Sequence, residues 1–228
     1  MTIYKAIYTD KFGEENVDIS SDGSIMYIPL RGVIFEGTDF EWLSGEIDES
    51  KFQYECYEGG ADLTNFKITV TFPIKIEHQQ KITTEQITFT YTTGDQTGIK
   101  GQALNSDTVV LNTYFGKFTL NQKVEHFEDS LLKIHVKLPK GTDIKACVSC
   151  KYSTYHPLGG ADFGDLTCLK NAKELLPEIH DKNSLMSVYD EAYGGGKAFK
   201  VQEVFLCPEH EYETLDDWRY KGWSHAVK

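Results

Sequence analysis

Arginine is almost missing from this chain. Of 228 residues only Arg31 and Arg219 carry a guanidinium, and 23 lysines and arginines stand against 35 aspartates and glutamates, for a formal charge of −12. Nucleic-acid binding depends on cations that neutralise phosphates, so this balance argues against it. It disfavours anionic membranes for the same reason. No apolar run approaches the length that spans a bilayer. The start, "MTIYKAIYTDKFGEE", has no basic stretch followed by an apolar core. It is therefore not a secretory leader, and a cytoplasmic protein is expected. Internal repeats and low-complexity segments are absent. So are HExxH and GxSxG, and the seven histidines are scattered. The glycine-containing stretches "HPLGGADFGD" and "YGGGKAFK" lack the strand, turn, Lys and hydroxyl order that cradles a phosphate.

What is present is a strand-rich chain. "TIYKAIYT" and "EQITFTYTTG" alternate, and in "NFKITVTFPIKIEHQ" Phe66, Ile68, Val70 and Phe72 fall on one side. Pro73 interrupts that run and favours an edge or a bulge. "SIMYIPLRGVIFEG" is apolar, with Gly32 as a bend. "DTVVLNTYFGKFTL" and "DSLLKIHVKLP" read as two further strands, the second with His135 on the solvent side. Gly94, Gly98 and Gly101 mark a long polar loop. This pattern predicts an α+β protein, mainly an antiparallel β-sandwich or curled sheet.

After Pro139 the character changes. "CVSCKYSTYHPLGG" is a loop, and "DFGDLTCLKNAKELLPEI" is expected to be helical, capped by Asp162 or Asp165 and ended by Pro177. Its leucines Leu166, Leu169 and Leu176 share a helical face with Ala172. "KNSLMSVYDEAYGGG" suggests a second helix, "KAFKVQEVFLC" a returning strand, and "DDWRYKGWSHAVK" a tail docked by Trp218 and Trp223. The expected organisation is a β-rich domain over 1–140 and a cysteine-rich α+β region over 141–228, either separate or packed as one domain.

Four of the five cysteines fall in that second region. Cys147 and Cys150 form a CxxC, Cys168 follows after 17 residues, and Cys207 follows after 38 more. CxxC spacing lets two sulfurs converge on one ion, and the gap to Cys168 matches that between the halves of many zinc sites. Four thiolates complete a tetrahedral zinc with no open position, which is a structural site. His210 is the alternative ligand, three residues past Cys207. Zinc would fasten a polar loop that could not offset its own ordering entropy by burial. A redox CxxC, a disulfide, an iron–sulfur cluster and unligated buried thiols are the other readings. Cys56 has no spacing partner and is expected to be a free thiol.

The acid is concentrated too. Residues 36–62 hold nine carboxylates and one cation, Lys51. Either this is a solvated face, or Glu36, Asp39, Glu41, Trp42, Glu46, Asp48, Glu49, Glu55, Tyr57 and Glu58 form a surface for a basic protein partner.

The order Cys147, Cys150, Tyr152, Ser153, Tyr155, Pro157, Gly159, then Phe163, Gly164, Leu166, Cys168, and finally Cys207 resembles an uncharacterised bacterial domain family. That family has a CxxC–YSxYxPxG–FGxLxC arrangement after a strand-rich first half. The likeness is strongest over the last third of the chain. It brings no established activity, and implies a small intracellular protein of the kind that neutralises toxins. The expected function is therefore a non-enzymatic binding protein with a structural zinc. A metal-dependent hydrolase or thiol redox enzyme at the cysteine loop and a structural assembly protein are the alternatives.

Overall fold

A computed structural model describes residues 1–58, 60–94, 108–121, 127–158, 163–214 and 217–223. Gly98, Gly101, Gly159 and Asp162 lie outside the described residues, as does the side chain of Tyr57. Two compact units divide the chain. The first is Met1–Phe72 with Gln86–Glu125, and the second is Pro73–Glu85 with His126–Lys228. The units thus interleave in sequence, and the composition change near residue 140 falls inside the second.

The first unit is built on antiparallel strands β1 (Thr2–Asp10), β2 (Gly13–Ser21), β3 (Met26–Leu30) and β4 (Val33–Gly37), a ribbon of β5 (Tyr54–Tyr57) and β6 (Gly60–Leu63), then β7 (Lys67–His78), β8 (Lys81–Thr92), β9 (Thr108–Thr113) and β10 (Gly116–Asn121). Their order is β10-β9-β8-β7-β1-β2-β3-β4, an open sheet with β5–β6 separate. The protein is thus sheet-rich α+β, as expected, on one large sheet. Alternation sets its buried face. Tyr4, Ala6 and Tyr8 point in while Ile3 and Ile7 point out, and Ile68, Val70 and Phe72 are fully buried. Phe40, Leu43, Phe52 and Leu63 bury themselves on the same core, with Phe40 against Phe89 and Tyr91, and Phe52 edge-on to Phe35 at 4.9 Å. Each such side chain contributes about 1.5–3 kcal/mol of burial. Gly32 is a turn rather than a bend within a strand. With Arg31 it takes positive φ (83° and 46°) and joins β3 to β4.

The second unit starts with the far end of β7–β8. Strand β7 pairs β1 through Lys67–Thr71 and β11 (Thr142–Lys145) through Lys75–His78. Pro73, which has no N–H to give, sits in the interval where neither pairing needs one. Next come helix α1 (Phe127–His135), a 3-10 turn Cys147–Ser149, β12 (Ser153–Thr154), β13 (Thr167–Cys168), a 3-10 helix Lys170–Glu178, α2 (Lys182–Gly194) and β14 (Phe199–Lys200).

Three expectations are corrected here. "DSLLKIHVKLP" begins as helix α1, because Phe127, Leu131 and Ile134 are buried at helical spacing, and Phe127 precedes the stretch read as alternating. His135 accordingly packs edge-on to Trp223 at 5.1 Å instead of facing solvent. The helix expected from Asp162 onward starts only at Lys170. Leu166 is buried ahead of β13 and Leu169 is the residue that caps the 3-10 helix, Asp165 accepts from the Lys200 ammonium at 3.0 Å, and Ala172 kinks the 3-10 helix. The returning strand is only β14. α2 forms as expected, but its cap is Asp181. The Asp181 side chain accepts from the Ser184 N–H at 2.8 Å, while the Ser184 hydroxyl accepts from the Asp181 N–H at 2.9 Å, a reciprocal capping box. α2 buries Leu185, Val188 and Ala192 against Leu169, Ala172, Leu175 and Ile179. No helix among the described residues is long and apolar enough to cross a membrane.

Candidate functional site

The four C-terminal cysteines come from three separate stretches of the second unit. Cys147 and Cys150 lie on the short 3-10 turn. The Cys150 N–H closes that turn on the Cys147 carbonyl (3.1 Å), and the Cys147 and Val148 N–H groups donate to the carbonyls of Phe205 and Glu203 (3.2 and 2.9 Å). Cys168 sits on β13, flanked by Ser153 of β12 and Phe199 of β14. Cys207 opens a turn in which the His210 N–H donates back to its carbonyl at 3.3 Å. Sheet pairing and loop bonds therefore bring distant sequence positions to one place.

The thiols sense one another. Cys147 donates to the Cys207 sulfur, and this, with burial, drives the Cys147 thiol well above its ordinary range. Cys207 is pulled down to about 6 by the same hydrogen bond, helped by the Glu209 N–H and the Lys170 ammonium. The two behave as a pair sharing one proton. Burial pushes Cys168 up to about 11, against the Lys170 N–H that donates to its sulfur. All five cysteines are free thiols, and Cys56 is exposed.

Among the described residues, no group of three or more His, Cys, Asp or Glu side chains is gathered as a metal site. Cys147, Cys168 and Cys207 instead pack with Tyr155, Leu166, Val201, Phe199 and Phe205. Cys147 and Cys168, held protonated, behave there as small hydrophobes, and the half-buried Cys207 lies at the margin of the cluster. His210 turns elsewhere. Its Nε2 lies 2.9 Å from the Ser149 hydroxyl and its ring is edge-on to Tyr212 at 4.7 Å. Burial pulls it down to about 4, so it stays neutral.

The backbone of the CxxC turn is held by a residue that sequence reasoning missed. The Lys221 ammonium is fully buried and donates to the carbonyls of Val148 (3.0 Å) and Cys150 (2.8 Å) and to the Ser153 hydroxyl (3.1 Å). It also forms an ion pair with Glu213. Arg219 donates from Nε to the Lys151 carbonyl at 2.6 Å. Docking of the tail by its tryptophans was legible, but lysine in "WRYKGW" gave no sign of being the cation at its centre. Glu203 was missed as well. It is completely buried, accepts from the Gly164 N–H (2.8 Å) and the Tyr155 hydroxyl (3.1 Å), and is pushed up to about 8 by desolvation.

The acidic stretch divides by role. Asp39 is buried and caps the N–H groups of Glu41 and Trp42 at 2.9 and 2.8 Å. Asp48 accepts from Ser50 and pairs with Lys51 at 3.0 Å. Neither is a free surface charge. Glu36, Glu46, Glu49, Glu55 and Glu58 are exposed and Glu41 is half-buried. Trp42 is 59% exposed and Ile34 is 64% exposed. Ser44 pairs Glu36 beside β4 (2.8 and 2.9 Å), which sets Ile34, Glu36, Trp42 and Glu46 at same-face register positions.

A family match spans residues 2–153. It covers the strand-rich part of the chain, not the last third, and of the cysteine motif it takes in only Cys147, Cys150, Tyr152 and Ser153. No curated protein and no solved structure matches the chain. On a match that covers more than half its length, the chain belongs to DUF6304, a family of unknown function.

Proposed function

We propose that this is a non-enzymatic binding protein of the immunity-protein kind, which takes a basic protein partner on its first unit and carries a structural zinc in its second. The observation that supports the binding role is the exposed Trp42. A tryptophan with more than half its surface in water, on the same face as Ile34 and among Glu36, Glu41 and Glu46, has the makeup of an interface centre with a charged rim. The carboxylates would steer a cationic partner, and the indole and Ile34 would be desolvated on docking. Asp39 and Asp48 shape the loop and stay out of the contact.

The zinc reading rests on donor chemistry. Cys147, Cys150, Cys168 and Cys207 supply four soft ligands from one neighbourhood, and two of the sulfurs already receive the N–H of the residue two positions on. Deprotonation by zinc would convert the packed thiols into thiolates with no place left for water, so the site would be structural.

Two experiments test this. Charge reversal at Glu41, Glu46, Glu49 and Glu55 is expected to lower affinity for a basic partner and flatten its salt dependence. Unchanged affinity removes this surface. Elemental analysis of the purified protein should find one zinc per chain, and Cys207→Ser should lower that content. Metal-free protein with full thermal stability would overturn the zinc reading.

A further inference from the structure

The second unit contains a pocket whose charge runs against that of the chain. About 320 Å³ of space lies beside Lys151, Tyr152, Lys173, Asp217, Trp218 and Arg219. With His180 set aside, the lining carries three cations and one carboxylate, a formal surplus of two positive charges in a chain of −12. One of the protein's two arginines is placed here.

The cations are organised around rings. The Lys173 and Lys151 ammonium groups lie 4.6 and 5.2 Å from the centroid of Tyr152. Arg219 is almost wholly buried and is held in place by its bonds to the carbonyls of Lys151 and Trp218, both at 2.6 Å. Its Nη2 lies 3.6 Å from Asp217. Leu176, Pro177 and Ile179 give the pocket an apolar side. Lys151 pairs with Glu211 at 2.5 Å and Lys173 with Glu209 at 3.6 Å. Both carboxylates are 52% exposed; Glu211 also accepts from the Tyr152 hydroxyl and Glu209 from the Lys170 ammonium at 2.8 Å, so a bound phosphate takes their place at Lys151 and Lys173 while they keep these other partners.

We infer that this pocket binds a nucleoside monophosphate. A phosphate monoester carries about −1.5 to −2 charges at neutral pH, which matches the surplus of the lining. Its oxygens suit two ammonium groups and a guanidinium on one side of a cavity. Trp218 and the apolar wall take the base, since a base ring stacks on indole whatever its sequence identity. The volume is at the small end of ligand sites, which admits one nucleotide and excludes a dinucleotide. Neither the zinc nor the partner surface is needed for this inference, and the test below uses the protein as purified.

Calorimetric titration of the full chain with adenosine monophosphate, inorganic phosphate and adenosine tests it. The monophosphate is expected to bind at least ten-fold tighter than either of the other two, and to weaken as salt is raised. Lys173→Glu is expected to cost at least ten-fold in affinity. Lys173 is half exposed, so the fold should survive, and Lys151→Met serves as the second variant if it does not. Equal affinity for monophosphate and inorganic phosphate would remove the ring from the site. Equal affinity for adenosine would remove the charge. No saturation at millimolar monophosphate, or unchanged affinity in a folded Lys173→Glu protein, would overturn the inference outright.

Discussion

Replacing Lys221 with methionine should be among the most damaging single changes in the second unit. The ammonium is fully buried and makes three hydrogen bonds of 2.8–3.1 Å to the cysteine turn, in addition to its ion pair with Glu213. Methionine fills similar volume and removes all of these. The Ser153 hydroxyl still donates to the Cys147 and Cys150 carbonyls at 2.5 and 2.9 Å, so part of the turn keeps its donors. The larger loss is at Glu213, whose buried carboxylate loses the ammonium it contacts and keeps the charge of Arg219 as a cationic neighbour. Stranding a charge in this way costs about 3–5 kcal/mol. Urea unfolding followed by tryptophan fluorescence reads the change, since Trp218 and Trp223 belong to this unit. The double variant Lys221→Met, Glu213→Leu removes both charges and should recover most of the loss, because a buried ion pair is often no better than an apolar pair of like volume. A single variant that loses less than about 1 kcal/mol, or a double variant no more stable than the single, would refute this account of the strap.

Glu203 should give the unit an unusual pH dependence. Its carboxyl is held protonated up to about 8 by desolvation, whereas in the unfolded chain it ionises near 4.5. The folded state therefore keeps a proton that the unfolded state has lost, and stability falls as pH rises between those values, by at most about 1.4 kcal/mol per pH unit. Glu203→Gln should remove that slope and be relatively more stable at pH 7.5 than at pH 5, and parallel wild-type and variant profiles would count against it. Leu131→Ala on α1 should cost about 2–5 kcal/mol in the same urea assay, as for other fully buried leucines. Alkylation of the native protein should label the exposed Cys56 well before Cys147, and equally fast labelling of Cys147 would contradict its burial.

The sheet was legible because strict alternation leaves little freedom. Phe66, Ile68, Val70 and Phe72 could share a buried face only as a strand. α1 was not legible, because Leu132, Ile134, Val136 and Leu138 alternate as a strand would, and the helical set of Leu131 and Ile134 is completed only by Phe127, outside that run. The 3-10 helix was misread as starting too early because Leu166 is buried for a different reason, packing with Tyr155, Cys168 and Val201 beside the small sheet, while Leu169 joins the helical cluster from the residue just before the helix. Around the cysteines, spacing singles out Cys147, Cys150, Cys168 and Cys207, but the protonation and packing of their sulfurs are tertiary properties that spacing does not encode. Lys221, Glu203 and the pocket at Arg219 could not be read at all. Burial of a charged side chain is a tertiary fact with no local pattern. The acidic stretch was partly legible: Glu36, Glu46, Glu49, Glu55 and Glu58 are exposed, while Asp39 is buried as a turn cap and Asp48 is tied up with Ser50 and Lys51.

Pro73–Glu85 belongs to the second unit although most of that unit is encoded after residue 126. On the ribosome this tip emerges 57 residues before Thr142, the first residue of the strand that covers Lys75–His78 (142 − 85). At about 5–20 residues per second, the nascent chain must hold an uncovered strand margin for roughly 3–11 seconds. Such a margin invites pairing with a neighbouring chain, and the proline and lysines beside it act as guards during that wait. Slowed translation between Glu85 and Thr142 should therefore reduce the yield of soluble protein more than an equal pause placed after Gly222.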